Sequence, residues 1–272
     1  MAEIIEITDL SAIGLVPYTN TSEAELKKWQ GTDCGVFVAE SPKVIRTAVE
    51  AGFMPISFLC ERKYITGQAR DILAAFDNVP VYTADSEVLT ELTGFRMTQG
   101  ILCTMKRRPL PTPSEILSGA SRIAVLENIM NQTNIGAVFR SAAALGFDAV
   151  LLTPSCSDPL YRRSVRVSMG TVFSIPWTYL ESSPPDYVKE LAGYGFQTAA
   201  MALRNDTISI EDEALQSTDK LAVLFGTEGT GLCEETINAC DYTIKIPMYH
   251  GVDSLNVAAA SAVAFWQLRK KI

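Results

Sequence analysis

The stretch NIGAVFRSAAALGF, Asn134 to Phe147, carries one charge, Arg140, in a run of small and apolar residues. Arginine stays protonated and presents five N–H donors in a rigid fork. That suits it to a phosphate group or to an oxygen gaining negative charge. A helix that is apolar all round is normally buried, and an unpaired buried charge is costly. Arg140 is therefore expected to face a cleft and meet a substrate, or else to form a structural ion pair, for which Glu228 is the candidate partner. Asn134 could cap the helix that carries Arg140.

Two more stretches carry chemistry. GTEGTGL, Gly226 to Leu232, is glycine-rich and follows an apolar strand. It matches neither the G-x-G-x-x-G fingerprint nor a phosphate loop ending in G-K-[ST]. Glu228 among the glycines would repel the phosphate that such backbone N–H groups cradle. A ligand with cationic groups, held largely through backbone contacts, fits better; the alternative is a tight turn with an exposed glutamate. In IPMYHGVDSLN, Ile246 to Asn256, the polar residues Asp253, Ser254 and Asn256 crowd together where a strand-end loop meets an apolar helix. Capping accounts for Ser254. It does not account for Asn256, a middling helix former in the first turn.

Composition excludes several other classes. The 272 residues include one histidine, His250, so a histidine-based triad or metal centre would depend on that residue alone. Six cysteines are scattered without a C-x-x-C pair, which fits reduced thiols and no metal site. The acidic start MAEIIEITDL lacks a secretory signal, and the longest apolar run, Val257 to Trp266, falls short of the ~18 residues of a membrane span. A cytoplasmic protein is expected. The net charge of −8 argues against non-specific coating of nucleic acid. Three local basic patches remain: Lys106-Arg107-Arg108, Arg162-Arg163-Arg166 and Arg269-Lys270-Lys271.

The positioning elements form two α/β halves. GVFVAE, ISFLC, VPVYT and GILCTM read as strands. Between them lie SPKVIRTAVEAG, TGQARDILAAF and DSEVLTELTG as helices, with Ser41 as N-cap and Gly52 as stop of the first. KRRPLPTPSEILSG, residues 106–119, reads as a linker. After it, RIAVLE, DAVLLT, FQTAAMAL, LAVLFG and YTIKIP alternate with helical stretches, implying a mostly parallel sheet. Ligands of such sheets sit beyond the carboxyl ends of the strands, where all three chemical stretches begin.

Together, NIGAVFRSA, GTEGTGL and IPMYHGVDSLNV, in this order and spacing, resemble the signature of the SpoU/TrmH branch of the SPOUT RNA methyltransferases. That resemblance covers residues 120–272; residues 1–105 are similar to an appended substrate-binding domain of the kink-turn-binding type. It implies a deep trefoil knot, S-adenosylmethionine as methyl donor, a ribose 2′-hydroxyl as acceptor, and a homodimer whose active site draws on both subunits. Ribosomal RNA is favoured as substrate, with tRNA or a non-catalytic RNA-binding role as alternatives. Asn134, Arg140, Glu228, Ser254 and Asn256 fall on the functional motif positions. Gly226, Thr227, Gly231, Ile246, Pro247, Met248, Ser254 and Leu255 fall on cofactor positions. One departure is Gln132-Thr133, where many members have a proline before the asparagine. Arg162 and Arg166, on one helix face by spacing, are expected to join Arg140 in contacting RNA near the strand ends.

Overall fold

Short β-rich runs, punctuated by caps and left-handed glycines, build two separate sheets. In this computed structural model, which describes residues 3–204 and 207–270, the first unit runs through Pro109 and also takes in Leu160–Phe173. The second comprises Leu110–Pro159 and the chain from Ser174 onward.

The first sheet contains β1 (Ile4–Glu6), β2 (Val36–Glu40), β3 (Pro55–Glu61), β4 (Val81–Ala84) and β5 (Ile101–Lys106), in the order β1-β4-β3-β5-β2. It is mixed: β4 runs parallel to β1 and β3, whereas β5 is antiparallel to β3 and β2. Its helices are α1 (Glu23–Lys27), α2 (Pro42–Glu50), α3 (Arg62–Ile65), α4 (Arg70–Ala74) and α5 (Ser86–Thr93). Ser41 caps α2 as expected, accepting from Val44 N, and Gly52 turns the chain out at φ +85°. Strand β1 and helix α1 are additions to the sequence reading, and α4 is shorter than TGQARDILAAF suggested.

Of residues 106–119, Lys106 closes β5, and Pro113–Leu117 forms α6 behind a Thr112/Glu115 capping box. Ile116 and Leu117 join the core of the second unit. Residues 107–112 and 118–119 of the expected linker lie outside regular structure.

The second sheet is parallel throughout, in the order β10-β12-β9-β11-β6-β7-β8. Along the chain come β6 (Arg122–Leu126), α7 (Gln132–Ala144), β7 (Ala149–Leu152), α8 (Arg162–Val167), β8 (Trp177–Tyr179), α9 (Asp186–Gly193) and β9 (Gln197–Met201). Then follow β10 (Ile208–Ser209), α10 (Glu213–Ser217), β11 (Leu221–Phe225), α11 (Glu234–Ala239), β12 (Tyr242–Lys245) and α12 (Val257–Leu268). Every residue of β6, β7 and β11 is buried, as a parallel sheet covered on both faces requires. Helices α7 and α12 pack together, and Phe265 of α12 meets Phe147 and Phe225 at centroid distances of 4.2 and 5.5 Å.

Arg122, at the start of β6, is 2% exposed. Its guanidinium donates to five backbone carbonyls, those of Ser121, Gln216, Thr218, Asp219 and Leu268. It thereby ties the end of α12 to the edge of the sheet opposite the strand carboxyl ends. Helix α8 belongs to the first unit, although it lies between β7 and β8 in the chain. No helix among the described residues is long and apolar enough to cross a membrane.

Candidate active site

Parallel strands end on one edge, so the segments after β6, β9, β11 and β12 share a crevice. The turn after β6 is held by the segment after β7. Asn128 takes a left-handed φ of 58°, its N–H donates to Thr153 Oγ1 at 3.0 Å, and Ile129 N donates to Cys156 Sγ at 3.3 Å. This turn delivers Asn131, whose side chain accepts from Thr133 N and Asn134 N and so caps α7. The cap is thus Asn131 rather than Asn134. Asn134 sits inside the first turn, buried, with its amide free of capping duty.

Asn134 Nδ2 donates to Glu228 Oε1, and Asn256 Nδ2 donates to the same oxygen. The two amides also meet at 3.4 Å, Asn256 Nδ2 to Asn134 Oδ1. One carboxylate therefore gathers the ends of three loops that lie 94 and 28 residues apart in the chain. Asn256 is also the N-cap of α12, its Oδ1 accepting from Ala258 N at 2.9 Å. Ser254 lies two residues before that cap, exposed. The capping role assigned to Ser254 thus belongs to Asn256, which uses its carbonyl for the helix and its amino group for Glu228.

Arg140 lies exposed on α7, and no described carboxylate forms an ion pair with it. Glu228 is engaged by the two asparagines instead, so the ion-pair alternative fails. Helix α7 is not buried all round: Ile135, Val138, Phe139 and Ala142 form its inner side, and Arg140 points away from them.

A cavity of about 410 Å³ opens beside Glu228, within the ~300–1,000 Å³ range of small-molecule sites. It is lined by Gly226, Thr227, Gly231, Ile246, Met248, Ser254 and Leu255 among the expected cofactor positions; Pro247 is not part of the lining. The glycine loop holds its own shape. Thr227 and Gly231 exchange N–H···O bonds of 3.1 Å each, and the Thr227 and Thr230 hydroxyls meet at 3.0 Å. Gly226 must be glycine, because a Cβ there would lie 2.1 Å from the Gly231 backbone.

Sequence reasoning missed one wall, Met201 at the end of β9 through Arg204, with Arg204 bonded to Glu234 and to Asn238 Oδ1 at 2.7 Å. The position of β9 between β11 and β12 brings this wall into the site, and only the sheet order reveals it. Against the core of the second unit, burial pushes the Cys240 thiol up to about 12, so it stays protonated at neutral pH. Among the described residues, no group of three or more His, Cys, Asp or Glu is placed to hold a metal.

The Arg162–Arg166 patch belongs to the first unit. Arg162 pairs with the buried Glu40 at 3.2 Å and stacks 4.1 Å over the Phe95 ring, and its backbone N–H donates to Glu23 at 2.8 Å. Arg166 reaches Glu40 at 3.8 Å and keeps 57% of its side chain exposed. Arg162 thus satisfies a buried carboxylate within the first unit, a structural role beside the RNA contact expected of it. In the other two patches, Arg108 lies 4.0 Å over the Phe53 ring and Arg269 lies 3.4 Å over the Trp266 ring. Lys271 of the third patch lies outside the described residues.

The model of the SpoU rRNA methylase family matches residues 121–266. An uncharacterized tRNA/rRNA methyltransferase of Mycobacterium bovis is 34% identical over 237 residues, covering 87% of this chain and 81% of that protein. A 23S rRNA guanosine 2′-O-methyltransferase of Bacillus subtilis is 30% identical over 157 residues, 58% of this chain and 61% of that one. Among solved structures, the SpoU methyltransferase AviRb of Streptomyces viridochromogenes, in complex with AdoMet, superposes with a TM-score of 0.76 at 23% identity. It covers 94% of this chain and 97% of that one. An AdoMet-bound rRNA methyltransferase of Sinorhizobium meliloti gives a TM-score of 0.81 at 20% identity, covering 98% and 97%.

Proposed function

Because the chain belongs to the SpoU rRNA methylase family, we propose that it is an S-adenosylmethionine-dependent RNA methyltransferase acting on a ribose 2′-hydroxyl, in ribosomal RNA before tRNA. The observation that carries this reading is the convergence of Asn134 and Asn256 on Glu228 at the cavity formed after β9, β11 and β12. The Bacillus relative, a 23S rRNA 2′-O-methyltransferase, supports both the acceptor and the RNA class.

The residues present fit the cofactor. The glycine loop, Ile246 and Met248, with Leu203, Leu232 and Leu255, offer a slot of mixed polar and apolar character for an adenine ring. Glu228, Glu234 and Asp253 line the same cavity, and carboxylates suit the positive charges of an ammonium and a sulfonium. When bound, S-adenosylmethionine supplies an electrophilic methyl group on that sulfonium. Gly226, Thr227, Gly231, Ile246, Met248, Ser254 and Leu255 hold it, and Glu228 is fixed by its two amide donors.

The protein's task toward the acceptor is to position a hydroxyl in line and to stabilise the negative charge it develops. Arg140 does this as a permanent cation that also binds a neighbouring phosphate; losing its proton to act as base is very unfavourable. Asn134 and Arg140 are six residues apart on α7, roughly 9 Å along the axis and about 120° around it. One copy therefore presents the two from different sides of α7. A homodimer that brings Arg140 of one copy to the cavity of the other resolves this, and the exposed apolar Met130, Val263 and Trp266 offer surface for it. The reading includes the deep trefoil knot of this fold type, with the C-terminal segment threaded through a loop, and implies a cytoplasmic enzyme.

The test is transfer of a labelled methyl group to RNA, with the product mapped by its resistance to alkaline cleavage at the 2′-O-methylated position. Arg140→Ala is expected to abolish transfer while leaving cofactor affinity within a few fold. Full activity in that variant refutes the role given to Arg140. Transfer to a base instead of a ribose refutes the acceptor.

A further inference from the structure

Glu127 follows β6 directly, is fully buried, and has no part in the chemistry above. Its backbone N–H donates to the Phe225 carbonyl at 2.8 Å, and its Oε1 accepts from the Cys233 backbone N–H at 2.7 Å. Phe225 and Cys233 are the residues that flank Gly226–Leu232. One residue therefore grips both ends of the loop that carries Glu228. Its second oxygen accepts from the Tyr187 hydroxyl at 2.6 Å and from Thr236 Oγ1 at 2.7 Å. Those bonds fix the carboxylate to α9 and to the first turn of α11.

We infer that Glu127 is a positioning residue for cofactor binding: by tethering both limbs of the glycine loop it sets the placement of Glu228 and of the loop backbone in the cavity. This rests on the functional reading above. The internal Thr227–Gly231 rung fixes the shape of the loop but not where it sits. Its placement is decided at its ends, where Gly226 and the Gly231–Leu232 backbone approach too closely to admit a Cβ. A shift at either anchor is therefore passed to Glu228 with little slack.

The three donors are not equivalent. The Cys233 N–H can only donate, whereas the Tyr187 and Thr236 hydroxyls can rotate and accept. Glutamine at position 127 keeps its carbonyl on Cys233 and turns its amino group to the hydroxyls. Methionine fills the same space and takes the acceptor away from the partly buried Cys233 N–H. Burial, with the Glu127 hydrogen bond adding to it, raises the Tyr187 phenol pKa, so the phenol stays a neutral donor or acceptor in all these variants.

The experiment compares Glu127→Met and Glu127→Gln with the unaltered full-length protein. It uses calorimetric titration with S-adenosylmethionine and, without ligand, amide hydrogen exchange across residues 226–233. Loss of one charge-assisted anchor is expected to weaken cofactor binding by about ten- to a hundredfold in Glu127→Met. Its loop amides are expected to exchange faster, while RNA affinity is unchanged and Glu127→Gln stays within about threefold. A role in folding alone would lower stability in both variants without this separation. Unchanged cofactor affinity and loop exchange in a folded Glu127→Met overturns the inference, as does Glu127→Gln failing as badly as Met. Should Glu127→Met not fold, Glu127→Asp, which keeps the charge and withdraws it by one methylene, carries the same expectation. If the unaltered protein binds no S-adenosylmethionine, the functional reading falls. Faster loop exchange in the variant then still supports Glu127 as the anchor, and unchanged exchange overturns it.

Discussion

Replacing Arg122 by methionine removes the clamp that holds the far end of α12, the helix whose other end carries Asn256. Two of the five accepting carbonyls, Leu268 O and Thr218 O, take bonds of 2.8 Å in fully buried surroundings. The other three are partly buried and can turn to water. A buried acceptor left without a partner costs about 1–3 kcal/mol, so two cost about 2–6. Relief from burying a cation offsets part of this, and burial already pulls the Arg122 pKa down, against the opposing pull of Asp148 and Asp219. A net loss of about 3 kcal/mol follows, a large share of the ~5–15 kcal/mol that holds a typical domain folded. At about 2–4 °C per kcal/mol for a unit of this size, the melting transition falls by roughly 6–12 °C. Scanning calorimetry of Arg122→Met and Arg122→Lys reads this directly. The lysine variant keeps the charge but reaches fewer carbonyls, and is expected to lie between methionine and the unaltered protein. A methionine variant within about 1 kcal/mol of the unaltered protein refutes the reasoning.

In the first unit, Arg162→Ala is expected to lower the denaturation midpoint, because it strips the buried Glu40 of its 3.2 Å partner; Arg166→Ala, from a more exposed and longer contact, is expected to change it little. An unchanged midpoint, with weaker RNA binding and a salt slope flatter by about one unit, would return Arg162 to the RNA surface. The paired bonds from Arg46, both 2.8 Å, hold Asp71 down at about 2 against its ordinary 3.8. With the folded value depressed, the pair's stabilisation is fully present above about pH 4 and is lost as pH falls through about 2. Carboxyl NMR titration checks this, and Asp71 titrating near its ordinary value would contradict it.

The three chemical loops were legible because each begins where an apolar strand ends and carries polar residues that packing does not need. The detailed division of labour was not. Asn131 and Asn134 are both acceptable caps three residues apart, as are Ser254 and Asn256 two apart. The choice is made by Glu228, 94 residues from Asn134 in the chain. The strand order that brings Met201–Arg204 into the cavity and the partner of Arg162, 122 residues away, are long-range facts that no local pattern encodes. Arg122 read as an ordinary strand-start charge, and nothing in RIAVLE announces that five carbonyls converge on it. Strand β1 escaped notice because only its middle residue is even partly covered.

The central claim is that the loops gathered by Glu228 form a site for S-adenosylmethionine. Calorimetric titration of the full chain with S-adenosylmethionine, in chelator-treated buffer and beside a Glu228→Ala variant, tests it most directly. The expected result is saturable binding without added metal, weakened in the variant once Asn134 and Asn256 lose their common acceptor. Absence of binding, or binding that is indifferent to Glu228, would contradict the claim.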